Sequence, residues 1–175
     1  TNFPAVARKH VEKRTGSDNA VFIQGCGGDI NPRSADHRET GAELAADVIH
    51  VLDAGLQRIE GDISFFMDTV NIPVQPWSVD SIVRFRTANE GKPGDVEAEK
   101  NVRWANLMLQ RYKNNTVENI LLEYVQTINI GDWKFVGISR EAVTEYGKGI
   151  RGIWPGKRVS VAAYCNDVAS YLPVA

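Results

Sequence analysis

At 175 residues and 43% hydrophobic content, the chain can bury a core and is no disulfide-stapled miniature. Twenty basic against 22 acidic residues leave a formal charge of -2, which excludes the broad positive field that draws a protein to nucleic acid or to an anionic membrane. The most apolar stretches, Val21 to Ile23 and Ile63 to Met67, are far too short to cross a bilayer, so no transmembrane segment is expected.

Phe3 to Arg14 reads as a helix, and Ala20 to Gln24 as a short buried strand that runs into Gly25-Cys26-Gly27-Gly28. Asp36, with Glu39 three residues on, predicts a capping box. The helix behind it carries Leu44, Ala45, Val48, Leu52 and Leu56 on one face. Ile63 to Val74 is rich in Ile, Phe and Val and predicts one long or bent strand ending at Pro73 to Pro76. Trp77 to Pro93 mixes charge, Gly and Pro and reads as a long connection, after which Asp95 caps a helix bearing Val102, Ala105, Leu109 and Tyr112. Ile120 to Ile130 and Lys134 to Ile138 flank Gly131-Asp132 as the arms of a hairpin. A helix from about Arg140 to Ile150 and a strand from Arg158 to Tyr164 complete an α/β pattern, a layered mixed sheet flanked by helices. No shift of composition marks a second domain, so residues 1–175 are expected to form a single α/β unit, part of a larger catalytic domain. The start at Thr1-Asn2-Phe3-Pro4 without Met and the stop just after a strand-like run agree with that expectation. Cys26 and Cys165 make one possible pair, not a disulfide framework.

Three clusters fall where strands give way to loops, the usual place for sites in α/β sheets. In Gly25-Cys26-Gly27-Gly28-Asp29-Ile30-Asn31-Pro32-Arg33, glycines at positive φ would turn N–H groups toward an anion or an oxyanion, with Asp29 and Asn31 beside them. The same residues also suit a tight turn capped by Asp29 or Asn31. Nucleotide binding is disfavoured, since no Gly-Lys-Ser/Thr follows and Ile30 stands where a dinucleotide fingerprint needs glycine. In Ser139-Arg140-Glu141, the carboxylate is either a helix-start residue or a hard-oxygen metal ligand, and Glu145 reads as a solvated partner one turn on. In Tyr164 to Pro173, Asn166 and Asp167 form a turn, and Tyr171 is either a half-buried ring or a phenolate ligand. His10, His37 and His50 show no paired metal spacing, although His37 lies near the glycine loop. Neither Ser34 nor Ser139 sits in a glycine-flanked nucleophile elbow.

In this order, Phe3-Pro4 with its helix, Val21-Phe22-Ile23-Gln24-Gly25, Gly28-Asp29-Ile30-Asn31-Pro32, Glu141 with Glu145-Tyr146-Gly147, and Asn166 through Tyr171-Leu172-Pro173 resemble the later part of the catalytic domain of the neutral/alkaline non-lysosomal ceramidases. The resemblance implies a zinc-dependent amide hydrolase that cleaves an N-acyl amide such as ceramide, with Glu141 and Tyr171 as metal ligands. It further implies two histidine ligands from segments preceding Thr1, the remainder of the catalytic domain as a partner, and a secreted or periplasmic setting. The family's serine position is occupied here by Asn31, whose carboxamide cannot act as a nucleophile but can hydrogen-bond an oxyanion. Water attack at the metal is then expected, stabilised by Gly27, Gly28 and Asn31, with Asp29 orienting or deprotonating the water. Asn31 also admits an alternative, a non-catalytic member that binds a ligand or a partner.

Overall fold

A computed structural model describes residues 2–174. Helix α1 (Phe3–Thr15) starts where Asn2 accepts the Ala5 N–H, has proline in its first turn, and stops at Gly16 with φ 71°. Helix α2 (His37–Ala54) starts at Asp36, which accepts the Arg38 N–H at 2.8 Å. The expected capping box does not close, because the Asp36 N–H donates to Ser34 Oγ. Gly55 takes φ 93° and ends α2, which leaves Leu56 outside the helix and exposed. The two helices cross at Gly41, where a Cβ would lie 2.6 Å from Val6 Cβ and 2.7 Å from the Phe3 carbonyl. Only glycine permits so close an approach.

Ala20 to Gln24 is not a ladder strand. Val21 is 82% exposed, and a backbone bond runs from the Ala163 N–H to the Gln24 carbonyl. The long strand expected next is present as β1 (Ile63–Pro73). Trp77 to Pro93 differs from expectation: Ser78 accepts the Ser81 N–H and starts helix α3 (Val79–Asn89), whose Ile82 is fully buried. Helix α4 (Val96–Lys113) begins, as predicted, at Asp95, which accepts from the N–H groups of Glu97 and Ala98. The predicted hairpin joins β2 (Ile120–Ile130) to antiparallel β3 (Trp133–Ile138), with Gly131 at φ 54° in its turn. A two-residue strand β4 (Glu141–Ala142) precedes α5 (Thr144–Ile153), so the last helix begins later than Arg140. Strand β5 (Arg158–Ala162) runs parallel to β3, and β6 (Tyr171–Leu172) runs parallel to β4.

The result is an α/β fold with a mixed four-stranded sheet in the order β1-β2-β3-β5 and a small parallel β4-β6 sheet. The chain divides into two compact units. One runs through Val70 and resumes at Glu123, and the other is Asn71–Leu122. In the first, Val136, Ile138, Ala142, Ala162 and Leu172 are buried where the two small-strand partners meet the end of the main sheet. In the second, α3 packs on α4 around Ile82, Ala98 and Ala105, beside a mutual edge-to-face cluster of Trp77, Phe85 and Trp104. No helix among the described residues is long and apolar enough to cross a membrane.

Candidate functional site

The chain leaves β3 through Ser139 and Arg140, and Arg140 takes φ 60°, a left-handed conformation that is uncommon for a side chain of its size. This reverses the local direction and starts β4, whose register sets Glu141 beside Tyr171 and Ala142 beside Leu172. Directly opposed residues on paired strands project to the same face, with backbones about 5 Å apart. Leu172 and Ala142 turn inward and are buried, while Glu141 is half-buried and Tyr171 is 58% exposed. Two residues 30 positions apart, each singled out as a candidate ligand, thus become neighbours.

The glycine loop lies against this ladder. A Cβ on Gly28 would fall 2.7 Å from the Glu141 carbonyl oxygen and 3.2 Å from the Ala142 carbonyl carbon. Close backbone approach, not backbone handedness, therefore explains the glycine: Gly25, Gly27 and Gly28 all stay out of the positive-φ region. The expected N–H nest is corrected in a second respect. The Gly28 N–H donates to the Ala142 carbonyl at 2.9 Å and so is taken up by the fold rather than offered to an oxyanion. Gly27, whose carbonyl accepts the Ile30 N–H, faces the cleft described below.

Asp29 stands at the start of α5. Its carboxylate accepts from the Thr144 N–H at 2.8 Å and from the Thr144 hydroxyl at 3.0 Å. Thr144 is the first residue of α5, and Val143, the residue in the N-cap position, offers no side-chain bond. Asp29 supplies that cap from 115 residues away in sequence. The Thr144 N–H holds its carboxyl below the usual range, so it is a poorer base than an ordinary aspartate. Its capping role answers the alternative reading of the loop, except that the capped groups belong to α5.

Asn31 and Glu141 line one cleft of about 360 Å³, together with Gly27, Tyr164 and the apolar Phe3, Ile30 and Pro32. In the sequence Tyr164 is given no site role, because it ends an apolar run that reads as strand. It has φ 60°, donates its N–H to the Arg140 carbonyl at 3.0 Å, and lines the same cleft as Glu141. Burial first, and the Glu141 carboxylate second, push the phenol up from its ordinary value, so it remains a donor.

Behind the ladder, Arg140 and Glu123 are buried and form an ion pair at 3.3 Å. Burial pushes the Glu123 carboxyl up, opposed by Ser139 and Arg140. The Ser139 hydroxyl accepts the Tyr124 N–H, so it is a structural group. Cys26, buried against Gly147 of α5, and Cys165 are both free thiols and not the disulfide that two cysteines allowed. Burial raises the Cys26 thiol above its ordinary value. His37 opens α2 and is not among the cleft-lining residues, and Glu145 pairs with Lys148. Among the described residues, no three His, Cys, Asp or Glu side chains converge to hold a metal.

No family model, curated protein or solved structure matches the chain.

Proposed function

We propose that this chain supplies part of the active site of a zinc-dependent amide hydrolase resembling the neutral/alkaline non-lysosomal ceramidases, with an N-acyl amide as substrate. The observation that carries the reading is the pairing of Glu141 with Tyr171 across β4 and β6, with Glu141 also lining a cleft that holds Asn31. A carboxylate and a phenol are oxygen donors that zinc accepts, and they stand on adjacent backbones. Glu141 and Tyr171 would hold the metal, with two histidines expected from segments preceding Thr1. Bound there, zinc would polarise the amide carbonyl and bring the pKa of a water into the neutral range.

The chain's own groups divide the remaining work. Tyr164 lines the cleft with Glu141 and keeps its phenol protonated, a donor available to a ligand carboxylate. Asn31 offers amide N–H donors to the carbonyl oxygen as it gains charge, and Phe3, Ile30 and Pro32 line the same cleft for an apolar substituent. Asp29 and the Gly28 N–H brace the loop against β4 and α5 and are left out of the chemistry.

Asn31 in the cleft, where the resemblance has a serine, favours a second reading, a non-catalytic protein that binds an amide-bearing ligand or a partner. Hydrolysis of a fluorogenic acyl amide by the full-length gene product, its Asn31→Ser variant and its Glu141→Ala variant separates the two. The enzyme reading expects turnover in the parent, loss in Glu141→Ala and only a modest change in Asn31→Ser. Turnover that appears only in Asn31→Ser would establish the binding reading instead.

A further inference from the structure

The residue before Glu141 is Arg140, and the residue before Tyr171 is Ser170; their side chains bond directly, Arg140 Nη1 donating to Ser170 Oγ at 2.6 Å. The backbone repeats the link one step on, the Glu141 N–H donating to the Ser170 carbonyl at 3.0 Å. Arg140 ties down the rest of the site as well. Its N–H donates to the Asp167 carbonyl at 2.7 Å, and its carbonyl accepts the N–H of Tyr164. Its guanidinium stem meets Glu123 of β2 at 3.3 Å in the buried interior, so the clamp is anchored to the main sheet.

Two-residue strands have little ladder of their own, and a pair as short as β4 and β6 needs outside support to hold one register. The geometry points to Arg140 and Ser170 as positioning residues that fix the spacing of Glu141 and Tyr171, an inference that rests on the metal-site reading above. Arg140 reaches β2, β4, the turn after β5 and β6 at once. The planar, forked guanidinium suits this, since it can donate in several fixed directions without losing its charge. The site's precision is thus set by a residue that faces away from the cleft and touches no substrate.

Ser170 is the place to test the clamp, because it is exposed and its loss should leave the fold intact. The full-length gene product and its Ser170→Ala, Ser170→Thr and Glu141→Ala variants are compared by zinc competition against a chromophoric chelator, and by hydrogen exchange of peptides spanning residues 140–145. Outer-shell partners of metal ligands contribute roughly 10–100-fold to metal affinity. Ser170→Ala is expected to weaken zinc binding by about tenfold and to speed exchange at the Glu141 amide several-fold, with melting temperature and β2-β3 exchange unchanged. Ser170→Thr, which keeps the hydroxyl, is expected to restore both. Unchanged exchange in Ser170→Ala, or failure of Ser170→Thr to restore it, would overturn the clamp. Zinc affinity that does not respond to Glu141→Ala would instead overturn the metal site, and the exchange data would still decide whether Arg140 and Ser170 hold the ladder.

Discussion

Replacing Gly28 by alanine puts a methyl group where the backbone of β4 already stands. The new carbon would sit 2.7 Å from the Glu141 carbonyl oxygen and 3.2 Å from both the carbonyl carbon and oxygen of Ala142. All of these are backbone atoms, so no flexible side chain can swing away, and either the loop or the ladder must move. Overpacking of this kind costs about 1–3 kcal/mol, while the stiffer unfolded chain returns about 0.4–1 kcal/mol. The net loss is therefore about 0–2.6 kcal/mol, which lowers the melting temperature by up to roughly 10 °C for a chain of this size. Gly149 supplies the opposite case within the same unit. It lies inside α5, with nothing within 4 Å of a built Cβ and without positive φ. There alanine should stabilise by up to about 1 kcal/mol through helix propensity. Thermal and urea unfolding of the two variants reads both signs. Gly28→Ala as stable as Gly149→Ala would refute the packing of the glycine loop on β4 and, with it, the proximity of Asn31 to Glu141.

Asp29→Asn should change how stability depends on pH. The folded carboxyl lies below its ordinary value, so its stabilisation is complete above the ordinary carboxylate range and fades as pH falls through the lowered folded value. Urea midpoints measured from neutral to acid pH should show a shallower acid limb in Asp29→Asn, and an unchanged limb would remove Asp29 as the cap of α5. In the unit Asn71–Leu122, Ile82→Ala should destabilise by about 2–5 kcal/mol, because Ile82 is wholly buried where α3 meets α4; a loss below about 1 kcal/mol would contradict that packing.

Features with a local cause were legible in the sequence. Asp95 before an amphipathic run gave α4, and Gly131-Asp132 between two β-rich runs gave the β2-β3 hairpin, because caps and tight turns depend on a few adjacent residues. Helix α3 was obscured because Gly91, Pro93 and Gly94 gave the whole region the look of a loop, although these residues follow the helix and Ser78 caps its start. Ala20 to Gln24 misled in the other direction. Its apolar character suits a buried strand, yet Val21 and Ile23 point outward. Glu141 and Tyr171 were singled out one at a time, but their pairing was not legible, since it depends on the left-handed turn at Arg140 and on a ladder between distant segments. Tyr164 was missed for the same reason. Its importance comes from meeting Glu141 in space, and nothing in Ala162-Ala163-Tyr164 signals that. For Asp29 the sequence left two readings open, because a carboxylate in a glycine loop looks the same whether it orients water or caps a helix 115 residues later.

Glu141 and Tyr171 are proposed to hold one zinc ion. The proposal is tested most directly by the zinc content of the full-length gene product, purified without chelator, beside its Glu141→Ala and Tyr171→Phe variants. Near-stoichiometric zinc is expected in the parent and marked loss in each variant, with melting profiles measured alongside to show that both remain folded. A zinc-free parent, or variants that are folded and keep the parent's zinc, would contradict it.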